Sequence, residues 1–164
     1  MRITEGSAAR DNELRFAADL YGGTAGYYDC YRLPYPEPML GHLIQRARIS
    51  GRGRLLDLAC GTGQLTFPLR PRFSEVWAVD REPDMVEVLR AKAVALHAHN
   101  IRPIAADAET LHAEPGHFEL AVIGNAFHRL DRDLVADRLL RWLRPGGCPV
   151  DLGPPGLGPP EPGH

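Results

Sequence analysis

Asp57 lies inside an apolar run, Leu55-Leu56-Asp57-Leu58-Ala59-Cys60, that closes on Gly61-Thr62-Gly63. A short apolar run bounded by Arg54 and by glycines reads as a buried strand of a parallel sheet that ends in a tight turn. Gly61 and Gly63 carry no Cβ, so they can take positive φ and let a ligand lie against backbone N–H groups at a helix start. A second acid, Asp80, closes the run Ser74-Glu75-Val76-Trp77-Ala78-Val79. An acid ending the second strand of such a unit is placed to bind a ribose diol. A carboxylate at position 57 would repel a pyrophosphate and suits a ligand carrying an ammonium group.

Two nucleotide-like readings compete for this turn. A dinucleotide fingerprint needs a third small residue, but the sequence runs Gly61-Thr62-Gly63-Gln64-Leu65-Thr66. Thr66 and the acid within the strand therefore disfavour a nicotinamide-dependent reductase. No Walker lysine follows the turn, which disfavours a phosphate-cradling loop. Asp57 and Asp80 together suit a ligand that carries an ammonium group and a ribose diol.

The elements that would hold these residues alternate between helix and strand. Residues 36–48 predict a helix with Pro36 in its first turn and Leu40, Leu43, Ile44 and Ala47 on one face. Pro68 sits too deep for a starting proline, so the helix after the glycine turn is expected to be kinked or short and to end near Phe73. Pro83 and Asp84 open another helix that runs to about Leu96, with Met85, Val88, Leu89 and Leu96 facing inward. His97 and His99 follow at its end, where imidazole suits the negative end of the helix dipole. Residues 101–106 and 118–123 read as the third and fourth strands, and 148–152 as a fifth. Asp131 caps a helix in which Val135, Leu139, Trp142 and Leu143 recur at helical spacing; Pro145-Gly146-Gly147 stops it. Asp107, after the third strand, has a capping role open to it over residues 108–111. Asn125 and His128, after the fourth, are the polar groups nearest a ligand at the carboxyl ends of the strands.

In Asp57-Leu58-Ala59-Cys60-Gly61-Thr62-Gly63, Val79-Asp80, Ala106-Asp107-Ala108, Ile123-Gly124-Asn125-Ala126-Phe127-His128 and Leu143-Arg144-Pro145-Gly146-Gly147, the chain resembles the class I S-adenosylmethionine-dependent methyltransferases of the type 11 kind. Ala59 departs from the glycine most often found there. The resemblance implies an α/β fold: a Rossmann-like, doubly wound, mostly parallel sheet of strand order 3-2-1-4-5. It also implies S-adenosylmethionine as cofactor and a small-molecule methyl acceptor. Carried onto this chain, Asp57, Ala59, Gly61, Thr62 and Gly63 would surround the methionine part and Asp80, followed by Arg81, the ribose. Met85, Asp107 and Ala108 would surround the adenine, with Asn125 completing the cofactor set. His128 is the candidate base for a hydroxyl acceptor.

The chain has 164 residues and a net charge of −2, which argues against a nucleic-acid footprint. Its three cysteines, Cys30, Cys60 and Cys148, are scattered and imply neither a disulfide framework nor a metal site. Cys60 reads as a packing residue. No apolar segment reaches the ~18 residues of a membrane span and residues 1–6 form no signal peptide, so a cytoplasmic setting is expected.

Three segments follow: 1–35 as a helical and aromatic cap, 36–152 as the cofactor-binding domain, and 153–164 as a disordered Pro/Gly-rich tail. In the cap, Tyr28, Tyr31 and Arg32 stand in an aromatic-dense stretch that, by the resemblance, would cover the cofactor. Relatives of this kind continue with strands six and seven, absent here, so the expectation is a C-terminally truncated member. Its fifth strand would be an uncovered edge open to pairing with a second copy. The alternative reading is a catalytically impaired remnant that binds cofactor or a partner chain.

Overall fold

The computed structural model describes residues 35–124 and 130–152. Expectations for the cap, for Asn125 and His128, and for the tail lie outside the described residues. The elements are α1 (Glu37–Ala47), β1 (Arg54–Leu58), α2 (Thr66–Leu69), β2 (Glu75–Asp80), α3 (Pro83–Ala95), β3 (Ile101–Ala105), β4 (Phe118–Gly124), α4 (Arg132–Trp142) and β5 (Leu143–Leu152). All strand pairs are parallel, in the order β3-β2-β1-β4-β5. The sheet therefore reverses direction of growth between β1 and β4, and an open α/β sheet forms its ligand crevice at the carboxyl ends of such a pair.

Side chains alternate across a strand, and that alternation sorts the carboxylates. Leu55 of β1, Val76 and Ala78 of β2, and Leu120 and Val122 of β4 enter one core, beneath α1, α2 and α3. Asp57, Asp80 and Gly124 follow at even spacing, so they share that face at its carboxyl end. Leu56, Leu58, Trp77, Val79, Ala121 and Ile123 enter a second core under α4 and the 108–113 loop. Both central faces are dry: Leu55, Leu56 and Leu58 are fully buried, each contributing about 1.5–3 kcal/mol of hydrophobic stabilisation.

Pro68 has the predicted effect. The helix is a four-residue stretch followed by one tighter turn over Arg70–Arg72, and Phe73 is already extended. Asp131 caps α4, its carboxylate accepting from Leu134 N–H at 3.2 Å, and Val135, Leu139 and Trp142 are buried as their spacing predicts. Two expectations need correction. In α3 the buried residues are Val86, Val88, Leu89 and Ala93, while Leu96 is exposed and Met85 half-buried. This helix is apolar on more than one side, so spacing alone does not choose the face. The glycines of Pro145-Gly146-Gly147 form a bulge rather than a separating loop. Leu143 pairs with Phe118, and pairing resumes with Cys148 opposite Leu120.

The amino end of the sheet is tied by Glu119, a buried carboxylate. It accepts from Ser50 N–H (2.7 Å) and Ser50 Oγ (3.0 Å), and it pairs with Arg144 of β5. A Cβ on Gly53 would collide with the Glu119 side chain at 2.0 Å, so the backbone of the α1–β1 loop lies directly on it. Beside it, His117 packs its ring at 5.1 Å from Trp77, with Nε2 buried and without a partner among the described residues. Burial first, and the Arg54 cation second, hold the His117 imidazole below its ordinary value of 6.5. The folded chain therefore takes up this proton later than the unfolded chain as pH falls. The contribution is complete above 6.5 and is lost below it. Urea midpoints compared at pH 7.5 and pH 5.5 should drop for the unsubstituted chain and drop less for His117→Gln; equal drops would mean that His117 is not the group responsible.

Candidate functional site

The turn after β1 owes its shape to three successive positive-φ residues at alternate positions: Ala59 (54°), Gly61 (56°) and Gly63 (98°). At Gly63 the absence of a side chain is also a packing requirement, since a Cβ would lie 2.6 Å from the Phe67 ring and 3.3 Å from Leu89. Ala59 occupies the left-handed region with a Cβ, at a cost of roughly 1–2 kcal/mol. That is the physical content of the alanine-for-glycine departure at this position.

Asp80 joins three elements at this turn. Its Oδ2 accepts from Gly61 N–H at 2.8 Å and its Oδ1 from Glu82 N–H at 2.9 Å. The same carboxylate thus holds the β1 turn, ends β2 and sets the entry to α3. Asp57 is buried, and its Oδ2 accepts from Thr66 Oγ1 at 2.6 Å. Thr66, which breaks the dinucleotide fingerprint, is therefore a donor to the strand carboxylate.

Cys60 lies between the two acids. Burial pushes its thiol well above the ordinary value of 9.0, and the charges of Asp57 and Asp80 push it further. A neutral, buried thiol is no nucleophile.

The turn departs from a ligand-cradling loop in one respect. Sequence reasoning expects Gly61 and Gly63 to offer their N–H groups to a ligand, but Gly61 N–H is given to Asp80 and Gly63 N–H to the Cys60 carbonyl at 3.0 Å. Neither is turned toward a phosphate. The glycines act through conformation and close packing instead. Thr62 is fully buried, its hydroxyl accepting from Gln64 Nε2 at 2.7 Å.

Around the ends of β2 and β3, Arg81 Nε stands 3.6 Å from Asp107 Oδ1 and 3.7 Å from Glu82 Oε1, with all three side chains exposed. Such an exposed pairing contributes at most about 1 kcal/mol. The Asp107 carbonyl, not its side chain, receives the N–H groups of Thr110 (3.1 Å) and Leu111 (3.0 Å), leaving the carboxylate turned toward Arg81. Met85 is half-buried near the start of α3, and Ala108 packs into the second core.

Two residues outside the predicted site set complete the surroundings. Tyr35 is buried at the end of β4, its hydroxyl 2.8 Å from where a Gly124 Cβ would be. Lys92 reaches from α3 to the Thr62 carbonyl at 3.0 Å. Contacts of this kind join residues distant in sequence; the one sequence signal was that Lys92 is the chain's single lysine. Among the described residues, no group of His, Cys, Asp and Glu could hold a metal ion, and no helix is long and apolar enough to cross a membrane.

Comparison with known proteins is consistent with this geometry. A family model described as a methyltransferase domain matches residues 55–147. An uncharacterized methyltransferase of Mycobacterium tuberculosis is 33% identical over 138 residues, covering 84% of this chain and 51% of its own length. The ribosomal RNA small subunit methyltransferase G of Deinococcus deserti is 37% identical over 106 residues, covering 62% of this chain and 43% of its own. The crystal structure of the YcgJ protein from Bacillus subtilis superposes with a TM-score of 0.65 at 25% identity, over 71% of this chain and 50% of that one. The chain spans about half the length of the curated relatives it matches.

Two outcomes are expected from the turn. Cys60 should resist iodoacetamide in the folded chain and react once urea unfolds it, as read by peptide mass spectrometry. Ala59→Gly should raise the thermal midpoint by about 3 °C, because relief of the left-handed strain outweighs the added freedom of the unfolded chain.

Proposed function

The chain belongs to the methyltransferase-domain family, and from that premise we propose that it binds S-adenosylmethionine at the carboxyl ends of β1 to β3 and methylates a small-molecule acceptor. The observation carrying the reading is the pair of buried carboxylates, Asp57 and Asp80, on one face of the sheet with the glycine turn locked between them.

That donor set fits the cofactor. Two carboxylates in a poorly solvated crevice favour a cation, and the consumed N–H groups of Gly61 and Gly63 leave little for a pyrophosphate. In this reading Asp57, Ala59, Gly61, Thr62 and Gly63 surround the amino-acid end, and Asp80 with Arg81 holds the ribose. Met85 and Asp107 flank the adenine, joined by the main chain of Ala108, whose side chain is in the core. Asn125 and His128 follow β4 in the sequence, and in this reading Asn125 completes the cofactor set.

When bound, the cofactor supplies a methyl group on a cationic sulfur, already activated toward displacement. The residues of this chain then have a positioning task, which alone can account for a large part of a rate. Asp80 fixes the turn, Thr66 fixes Asp57, and the buried, neutral Cys60 does not compete as a nucleophile. His128 is assigned the proton of a hydroxyl acceptor.

Charge supports the choice of a small acceptor. A net charge of −2 offers little to a phosphate backbone, whose binding depends on neutralising several phosphates. Cys60 and Cys148, both free thiols, suit a reducing cytoplasm.

Calorimetric titration with S-adenosylmethionine and S-adenosylhomocysteine tests the cofactor site. Micromolar binding is expected, weakened by about tenfold or more in Asp80→Asn, which keeps the shape and removes the charge that Gly61 N–H and the ribose share. A folded chain that binds neither compound would overturn the reading.

A further inference from the structure

The peptide unit joining Thr62 to Gly63 is clamped at both ends. Its carbonyl accepts from Lys92 Nζ at 3.0 Å, and its N–H donates to the Cys60 carbonyl at 3.0 Å. Because a trans peptide points its C=O and N–H in opposite directions, the two bonds together fix the plane of that unit. Lys92 is also held over its own support. Its ammonium lies 5.0 Å from the Phe67 ring centroid, in range for a cation–π contact, and Phe67 is the ring that presses on Gly63. Leu89, one helical turn earlier on α3, stands 3.3 Å from where a Cβ on the same glycine would be. A helix of the second βα unit thus grips the turn of the first.

From this we infer that Lys92 is a positioning residue of the cofactor site, acting through the Thr62 carbonyl to keep the Gly61-Thr62-Gly63 backbone in its binding shape. The inference rests on the cofactor reading above. Without the clamp, the 62–63 unit sits between two glycine positions that tolerate many conformations, and rotation there would move Thr62 and both flanking residues. A ligand would then have to order the turn as it binds, and its affinity would fall by the cost of that ordering. The ammonium serves better than a neutral donor because a charge-assisted bond to a carbonyl is the stronger kind.

The test uses the full chain, S-adenosylhomocysteine as probe, and calorimetry with hydrogen exchange. Lys92→Met keeps the apolar stem on Phe67 and removes the donor. It should bind about tenfold more weakly and lose amide protection at residues 61–63 but not in β4. Lys92→Arg should recover most of the affinity. Ser50→Ala, which loosens the Glu119 anchor at the opposite end of the sheet, should lower stability and leave affinity unchanged, separating positioning from general weakening. Should the methionine variant fail to fold, Lys92→Leu, which also lacks a donor, serves the same comparison. Affinity within about twofold of the unsubstituted chain, or an equal loss in Ser50→Ala, would overturn the inference while leaving the cofactor reading intact. No binding by the unsubstituted chain would overturn both.

Discussion

The Asp80 carboxylate is the constraint on which the arrangement of this end of the sheet depends. One oxygen takes the N–H of Gly61 and the other that of Glu82, so the turn after β1, the end of β2 and the start of α3 are set by a single side chain. Buried carboxylates are costly unless their lone pairs are used, and here the backbone uses them. The same bond closes the turn against phosphates, because it removes an amide that a phosphate would need.

Around that centre the fold assigns distinct tasks to its two ends. At the carboxyl end, the alternation of β1 and β2 brings Asp57 and Asp80 onto the face covered by α2 and α3, where Thr66 and Lys92 can reach the strand carboxylate and the turn. At the amino end, Glu119 gathers Ser50 and Arg144, tying the α1–β1 loop and β5 to β4. Ala59, Gly61 and Gly63 all take positive φ in the turn at the carboxyl end of β1. Ala59 keeps its left-handed backbone because the flanking strand and turn over-determine it.

What could be read from the sequence was what depends on local pattern. Apolar runs and glycines marked the strands and turns, Pro68 marked a broken helix, and Asp131 marked a cap. The motif order anticipated the strand order 3-2-1-4-5 that the sheet has. Ala59 was visible as an unusual residue but not as a strained one, since φ is not written in residue type. The inward face of α3 escaped because its apolar residues surround more than one side; the sheet, not the helix, selected Val86, Leu89 and Ala93. The bulge of β5 escaped because its glycines look like a loop until Leu143 finds Phe118. Lys92, Glu119 and Tyr35 act across long sequence separations, where spacing carries no signal.

The bonds at the two ends of the sheet also differ in how much chain they enclose. Thr66–Asp57, Gly61–Asp80 and Lys92–Thr62 join residues 9, 19 and 30 positions apart, whereas Ser50–Glu119 spans 69. Closing the longest of these loops costs about 1 kcal/mol more entropy than closing the Gly61–Asp80 loop. The segment from β1 to α3 is thus a kinetically local unit, able to assemble before β4 and β5 arrive and to persist when they open. The turn and its carboxylates are thus held by loops less than half as long as the one that ties the amino end of the sheet.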